Sequence, residues 1–223
     1  MALHITNSWL WFCIAFGVML IIALVMKFQR KYFYTNDVVI RKFAMIDLEL
    51  PSSSREVVNI INGIFLLPPD QSQKTLRALK GQLYIDFIFM PPTYGAIFLL
   101  CMDVSWKMSS IGHGLFSTLA WLQVVAWLCD IIENIYLLNK IRPGVVASTD
   151  AAHKAYMLVE IIKWAIVLVS VVCSLFALSY FWLVGRYSYI SLHYLIIILV
   201  EIILFIVAQK LIFKKSNGTA YVG

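Results

Sequence analysis

Six ionisable side chains stand inside long apolar runs of this sequence: Asp86, Asp130, Glu133, Glu160, Lys163 and Glu201. An ionisable group is costly to place in such a setting and marks a candidate site by default. Three kinds of chemistry fit these residue types. Carboxyls can hold a proton, carboxylates can ligate a hard cation, and a cavity lined by them can take a lipid headgroup. Spacing narrows the picture. Asp130, Glu133 and Asn134 stand at i, i+3 and i+4, so they share one helical face, with Gln123 two turns earlier. His153, Tyr156, Glu160, Lys163 and Ser174 share a second face. Gln82, Asp86 and Thr93 line a third, with Tyr94 to one side, and Tyr187, Tyr194 and Glu201 line a fourth. Pro91-Pro92 is predicted to kink its helix just beyond Asp86 and to free backbone carbonyls there.

The charges in these runs do not balance. Five carboxylates accompany one lysine, a net of −4 if all are ionised, and each uncompensated buried ion costs several kcal/mol. Protons, a cation or water must make up the difference. Protonation alone is the least demanding answer; the next is a divalent cation held by Asp86, Asp130 and Glu133, whose oxygens suit Mg²⁺ or Ca²⁺. Protonation is expected first at Glu201, which has no basic neighbour on its own helix. Glu160 and Lys163, at i and i+3, can neutralise each other. Asp130, Glu133 and Asn134 can equally form a buried polar knot that joins helices. No Glu-x-x-His, His-Glu-x-x-His, Gly-x-Ser-x-Gly or phosphate-loop pattern occurs in the chain, which leaves open whether it is an enzyme.

Five apolar stretches must position these groups. They lie near Ser8–Met26, Gln82–Met102, Ile111–Leu138, Ala155–Leu183 and Tyr187–Ala208. Each approaches or exceeds the roughly 20 helical residues that cross a hydrocarbon layer. Of the 223 residues, 61% are hydrophobic and 13% charged, against about 45–50% and about 25% in soluble domains. A soluble enzyme, a disordered chain and a secreted disulfide scaffold are therefore excluded. Cys13, Cys101, Cys129 and Cys173 all lie in apolar runs without a Cys-x-x-Cys pair, and read as small hydrophobes. The expected fold is all-α: a polytopic five-helix transmembrane bundle, residues 1–223 forming one membrane domain.

Basic residues set the expected orientation. Fifteen of the 18 Lys and Arg fall on one side of the spans, two (Lys107 and Arg186) on the other, and Lys163 within a span. This bias predicts the N-terminus outside and the C-terminus inside. It also accounts for the net charge of +6 without a nucleic-acid partner. The first stretch has no basic residue before it and Lys27, Arg30 and Lys31 after it. That is the reverse of a signal peptide, so the stretch is read as a retained helix. Counted from the inner ends at about 1.5 Å per residue, Asp86, Asp130, Glu160 and Glu201 lie roughly 6–15 Å deep.

The inner segment 27–81 is too long to be structureless. Lys27–Tyr34 reads as a helix end anchored at headgroups, and Ile46–Pro51, which contains Glu49, as an alternating run stopped by proline. Ser53 and Glu56 form a predicted capping box. It opens an amphipathic helix through Val57, Val58, Ile60, Ile61 and Ile64, ended by Gly63 and Pro68-Pro69. Ser72 is a predicted cap for a helix that continues into the second span. The segment is expected on the inner membrane face, its apolar residues dipping into lipid or capping the bundle. Residues 216–223 are expected to be a flexible tail.

Asp47-Leu48-Glu49-Leu50, Asp86-Phe87-Ile88-Phe89 followed by Tyr94, and Asp130-Ile131-Ile132-Glu133-Asn134 resemble a group of small bacterial integral membrane proteins of uncharacterised activity. The resemblance covers roughly residues 45–138. It implies a multi-pass protein of the bacterial inner (cytoplasmic) membrane, brings no activity, and adds Glu49 to the site candidates, among which Tyr94 already stands. The expected function is binding or transport of a proton, a cation or a lipid headgroup at a carboxylate cluster near the cytoplasmic leaflet. The alternatives are an accessory or assembly subunit with a structural polar knot, and a lipid-modifying membrane enzyme. The expected partners are the lipid bilayer, a lipid or cation ligand, and a second copy or another membrane protein.

Overall fold

Long apolar sequence leaves the backbone no outside hydrogen-bond partners, and a helix satisfies them internally. The computed structural model, which describes residues 8–36, 39–187 and 191–218 (212–218 by backbone path alone), is accordingly dominated by helices. In chain order they are α1 (Ser8–Gln29), α2 (Ile46–Glu49), α3 (Ser54–Phe65), α4 (Pro69–Lys107), α5 (Ser110–Lys140), α6 (Asp150–Leu183) and α7 (Ser191–Gly218). A 3₁₀ turn at Arg30–Tyr32 extends α1, and a small antiparallel sheet pairs β1 (Tyr34–Asn36) with β2 (Ile40–Lys42). Five helices, α1 and α4 to α7, are long and apolar enough to cross a membrane. The chain is all-α in class, with one hairpin that the sequence reading did not anticipate.

The chain divides into two compact units. The first is Met1–Val25, Pro91–Val124 and Ile166–Gly223; the second is Met26–Met90 and Val125–Ala165. Along α4 the division falls at Pro91. Pro91 and Pro92 lack N–H groups, so the carbonyls of Phe87 and Ile88 lose their usual donors, yet α4 continues through both as one helix.

The second unit has its core where the segment between α1 and α4 folds back on itself. Val57, Ile60, Ile61 and Ile64 of α3 are at most 2% exposed. They pack with Phe33, Phe43, Leu48, Leu79, Leu83 and Leu137. The apolar face of α3 is thus spent on protein. Each such side chain contributes on the order of 1.5–3 kcal/mol on burial. Two hydroxyls tie the hairpin region down: Thr35 donates to the Ile60 carbonyl at 2.9 Å and Thr75 to the Tyr32 carbonyl at 2.7 Å.

Local details differ from the sequence reading. Gly63 does not end α3; it lies inside it, and a Cβ there would run into Thr35 Oγ1 and meet the Asn36 carbonyl oxygen at 2.9 Å. Its role is close approach to β1. Ser53 stands at the N-cap of α3 but makes no side-chain cap. The Glu56 carboxylate instead accepts from the Ser52 backbone N–H and the Ser52 hydroxyl, both at 2.7 Å. Ile46–Glu49 forms a short helix, opened by the Asp47 carboxylate accepting from the Ala44 N–H at 2.8 Å. Ser72 is not a cap either. α4 begins at Pro69, whose fixed φ suits a first helical position, and the Ser72 N–H already bonds the Pro68 carbonyl.

The first unit packs Leu100, Cys101, Val104, Phe116, Ala120 and Phe181 into its core. Two of its buried polar contacts cross between helices. Gln123 donates to Ser170 Oγ at 2.7 Å, and Cys101 lies 3.3 Å from Ser174 Oγ. Gly185, at φ +70°, ends α6. Its N–H bonds the Trp182 carbonyl and the Arg186 N–H bonds the Phe181 carbonyl, the two bonds of a Schellman termination. Tyr187 then donates to Asp103 Oδ2 at 2.7 Å, while Ser8 donates to Oδ1 at 3.2 Å. Of the expected tail, residues 216–218 belong to α7 and 219–223 lie outside the described residues. The expected start of the last span also falls partly on residues 188–190, outside them.

Candidate functional site

Seven of the nine sequence candidates lie in the second unit. α5 supplies Asp130, Glu133 and Asn134, α6 supplies Glu160 and Lys163, α4 supplies Asp86, and α2 supplies Glu49. Lys163 is the hub. Its Nζ donates to Asp130 Oδ1 at 3.1 Å and to Glu133 Oε2, and lies 3.0 Å from Glu160 Oε2. An ammonium has three donors, and here three carboxylates surround it. Asn134, a turn from Asp130, donates to Asp86 Oδ2 at 2.7 Å. The i, i+3, i+4 spacing on α5 thus serves two neighbours: the carboxylates turn to α6 and the amide to α4.

The centre is dry. Glu160 is fully buried, Glu133 and Asn134 are 2% exposed, and Lys163 is 5% exposed. Asp86, Asp130 and Glu49 are half-buried. Glu160 is close enough to Lys163 for an ion pair, but neither of its oxygens has a hydrogen bond of good geometry. If all were ionised, Asp130, Glu133 and Glu160 would set three negative charges against one positive and leave two uncompensated at this spot. Expected self-neutralisation of Glu160 by Lys163 is therefore incomplete, because Lys163 is shared with the two α5 carboxylates.

Glu49 links this cluster to the segment outside the long helices. Burial pushes its carboxyl up to about 7. The charge of Lys163 opposes that rise, and Glu160, Asp86 and Asp130 reinforce it. The neighbouring Leu48 carbonyl accepts from the Tyr156 hydroxyl at 3.2 Å, which fastens α2 to α6. Tyr156 stacks on Tyr136 with ring centroids 4.5 Å apart. Tyr156 stands one turn before Glu160 on the same face; that spacing was visible in the sequence, its tie to α2 was not.

The metal reading meets a different geometry. Among the described residues no group of three or more His, Cys, Asp or Glu is arranged to hold a metal ion. Of the expected trio, Asp130 and Glu133 turn to Lys163 and Asp86 to Asn134. The cation among these carboxylates is the lysine itself.

The other two candidates belong to the first unit. Tyr94 is buried on α4. Glu201 of α7 packs against Gly17 of α1, where a Cβ would come within 2.7 Å of Glu201 Oε1. Its Oε2 is buried with no hydrogen-bond partner. Nothing in an apolar run marks one glycine as the seat for a distant carboxylate, so this pairing had no sequence signal. No protein-family model, curated protein or solved structure matches the chain, and its chemistry is read from these residues alone.

Proposed function

We propose that this chain is a multi-pass protein of a bacterial cytoplasmic membrane, N-terminus outside and C-terminus inside, whose Lys163-centred cluster binds and exchanges a proton. The observation that carries the reading is the fully buried Glu160 carboxyl. It lacks a hydrogen bond of good geometry beside an ammonium already shared with Asp130 and Glu133. One proton on the Glu133–Glu160 pair lowers the surplus charge from two to one and supplies the missing donor. The proton reaches the pair by way of Glu49, which is half-buried, lies outside the long helices and titrates near neutrality. The positive-inside bias supports the orientation, and the short motifs at Asp47, Asp86 and Asp130 support the bacterial membrane.

The test is pH-difference infrared spectroscopy on the reconstituted protein. A titrating protonated-carboxyl band is expected in the wild type, lost in Glu160→Gln and kept in Asp103→Asn. If no carboxyl titrates, or the band survives Glu160→Gln unchanged, the cluster is a structural knot and the protein an accessory subunit. A reporter fused after Gly223 should report the cytoplasmic side; the opposite result overturns the orientation.

A further inference from the structure

Glu201 is the one carboxylate of the described apolar helices that sits in the first unit without a basic neighbour on its own helix. It lines a groove between α1 and α7 of about 250 Å³. The walls include Gly17, Leu20, Leu24, Leu204 and Phe205, apolar throughout. Two features make it a built site. Gly17 leaves the space that Glu201 Oε1 occupies, since any larger residue would put a Cβ 2.7 Å from that oxygen. Oε2 is buried and has no hydrogen-bond partner, so no protein donor offsets the negative charge of the carboxylate. The groove is also open sideways. Ile21 and Leu204 of its lining are 64% and 61% exposed, and none of the most apolar window of α7 is buried.

An acyl chain filling this groove would leave the carboxylate as it stands. A small hydrated metal ion would waste the apolar walls. A ligand that satisfies both has a positive centre and an apolar body, because opposite charges attract strongly where the surroundings are apolar. Phe205 adds an aromatic face of the kind that recognises alkylated ammonium groups. We infer that the α1–α7 groove is a binding site for a lipophilic organic cation, an alkyl- or aryl-substituted ammonium or phosphonium, held by the Glu201 carboxylate. A proton competes with the cation for the same oxygens. Cys13 is the other titratable group within reach of that charge on α1, and its thiol is turned to the Tyr194 carbonyl.

Binding of tetraphenylphosphonium to the full chain in nanodiscs, followed by an ion-selective electrode, tests this. The wild type should bind one cation per chain saturably, less tightly as the medium is acidified. Glu201→Gln keeps the shape and removes the charge, and should weaken binding at least about tenfold, because the attraction between opposite charges in apolar surroundings is lost. Gly17→Ala should weaken it as well by displacing Oε1, and stands in if Glu201→Gln does not fold. Glu160→Gln, in the other unit, should leave binding unchanged, which separates this site from the proton cluster. Absence of saturable binding in the wild type overturns the inference. So does equal binding by wild type and Glu201→Gln, which would show mere partition into lipid.

Discussion

Replacing Lys163 by methionine removes the ammonium while keeping most of the side-chain volume. Two carboxylate oxygens lie 3.0 and 3.1 Å from Nζ, with Glu133 Oε2 as a third contact. At an effective dielectric of about 20, each contact is worth about 5 kcal/mol of Coulomb energy. Desolvation of the buried ammonium cancels most of that sum. Removing one partner of a buried pair nevertheless costs about 3–5 kcal/mol, because the charges left behind are unpaired. For a chain of this size that corresponds to a fall in melting temperature of about 6–20 °C. The deficit should shrink as the pH is lowered, since carboxyls that take up protons no longer need the ammonium. Thermal melts of wild type and Lys163→Met in the same detergent, across a pH series, give both numbers. A variant that melts within a degree or two of wild type at neutral pH would refute the idea that three carboxylates depend on the Lys163 ammonium.

Glu49→Gln should flatten a specific part of the pH–stability curve. The folded-state value of about 7 lies above the usual 4.5, so ionising Glu49 favours the unfolded chain. Its contribution is present below about 4.5, is lost as pH rises to about 7, and is constant beyond; denaturant titrations across that window check the slope. Ile60→Ala should cost about 2–5 kcal/mol by opening a cavity in the core of the second unit, measured by the same titrations. Gly63→Ala should be destabilising by about 1–3 kcal/mol, since its Cβ meets backbone as well as Thr35; circular dichroism melts would show it. Tyr156→Phe should cost about 1 kcal/mol by stripping the Leu48 carbonyl of its donor, and hydrogen exchange should speed up around α2 more than elsewhere. Addition of Mg²⁺, Ca²⁺ or a chelator should leave the melting temperature unchanged, because Asp130 and Glu133 are already committed to Lys163.

The long helices were legible because about twenty apolar residues in a row leave the chain few other choices. The amphipathic α3 was legible for the same kind of reason: Val57, Ile60, Ile61 and Ile64 repeat at helical spacing. The hairpin was not. Its strands have three residues each and mix aromatic, polar and basic side chains, so period and composition carry no strand signal. The alternation of Ile46, Asp47, Leu48 and Glu49 pointed away from the short helix they form, which depends on a cap from Asp47 to Ala44. At the site, spacing within a helix was informative and partners across helices were not. The i, i+3 rule assigned Lys163 to Glu160, whereas the lysine also reaches the two α5 carboxylates. Gly63 looked like a helix breaker and Gly17 carried no signal, and their use as seats for Thr35 and Glu201 depends on contacts no local pattern encodes.

The way Lys163 divides its contacts has a mechanical side. Glu160 and Lys163 ride on the same helix, so their 3.0 Å contact survives any turn of α6 about its own axis. The contacts to Asp130 and Glu133 do not. A helix advances about 100° per residue, and a small part of that rotation swings Nζ out of reach of both α5 carboxylates together. The charged group therefore acts as an angular detent, favouring one setting of α6 against α5. Tyr156, bonded to the Leu48 carbonyl, sits on the same shaft about two turns away, so torque applied through α2 would be felt at the detent.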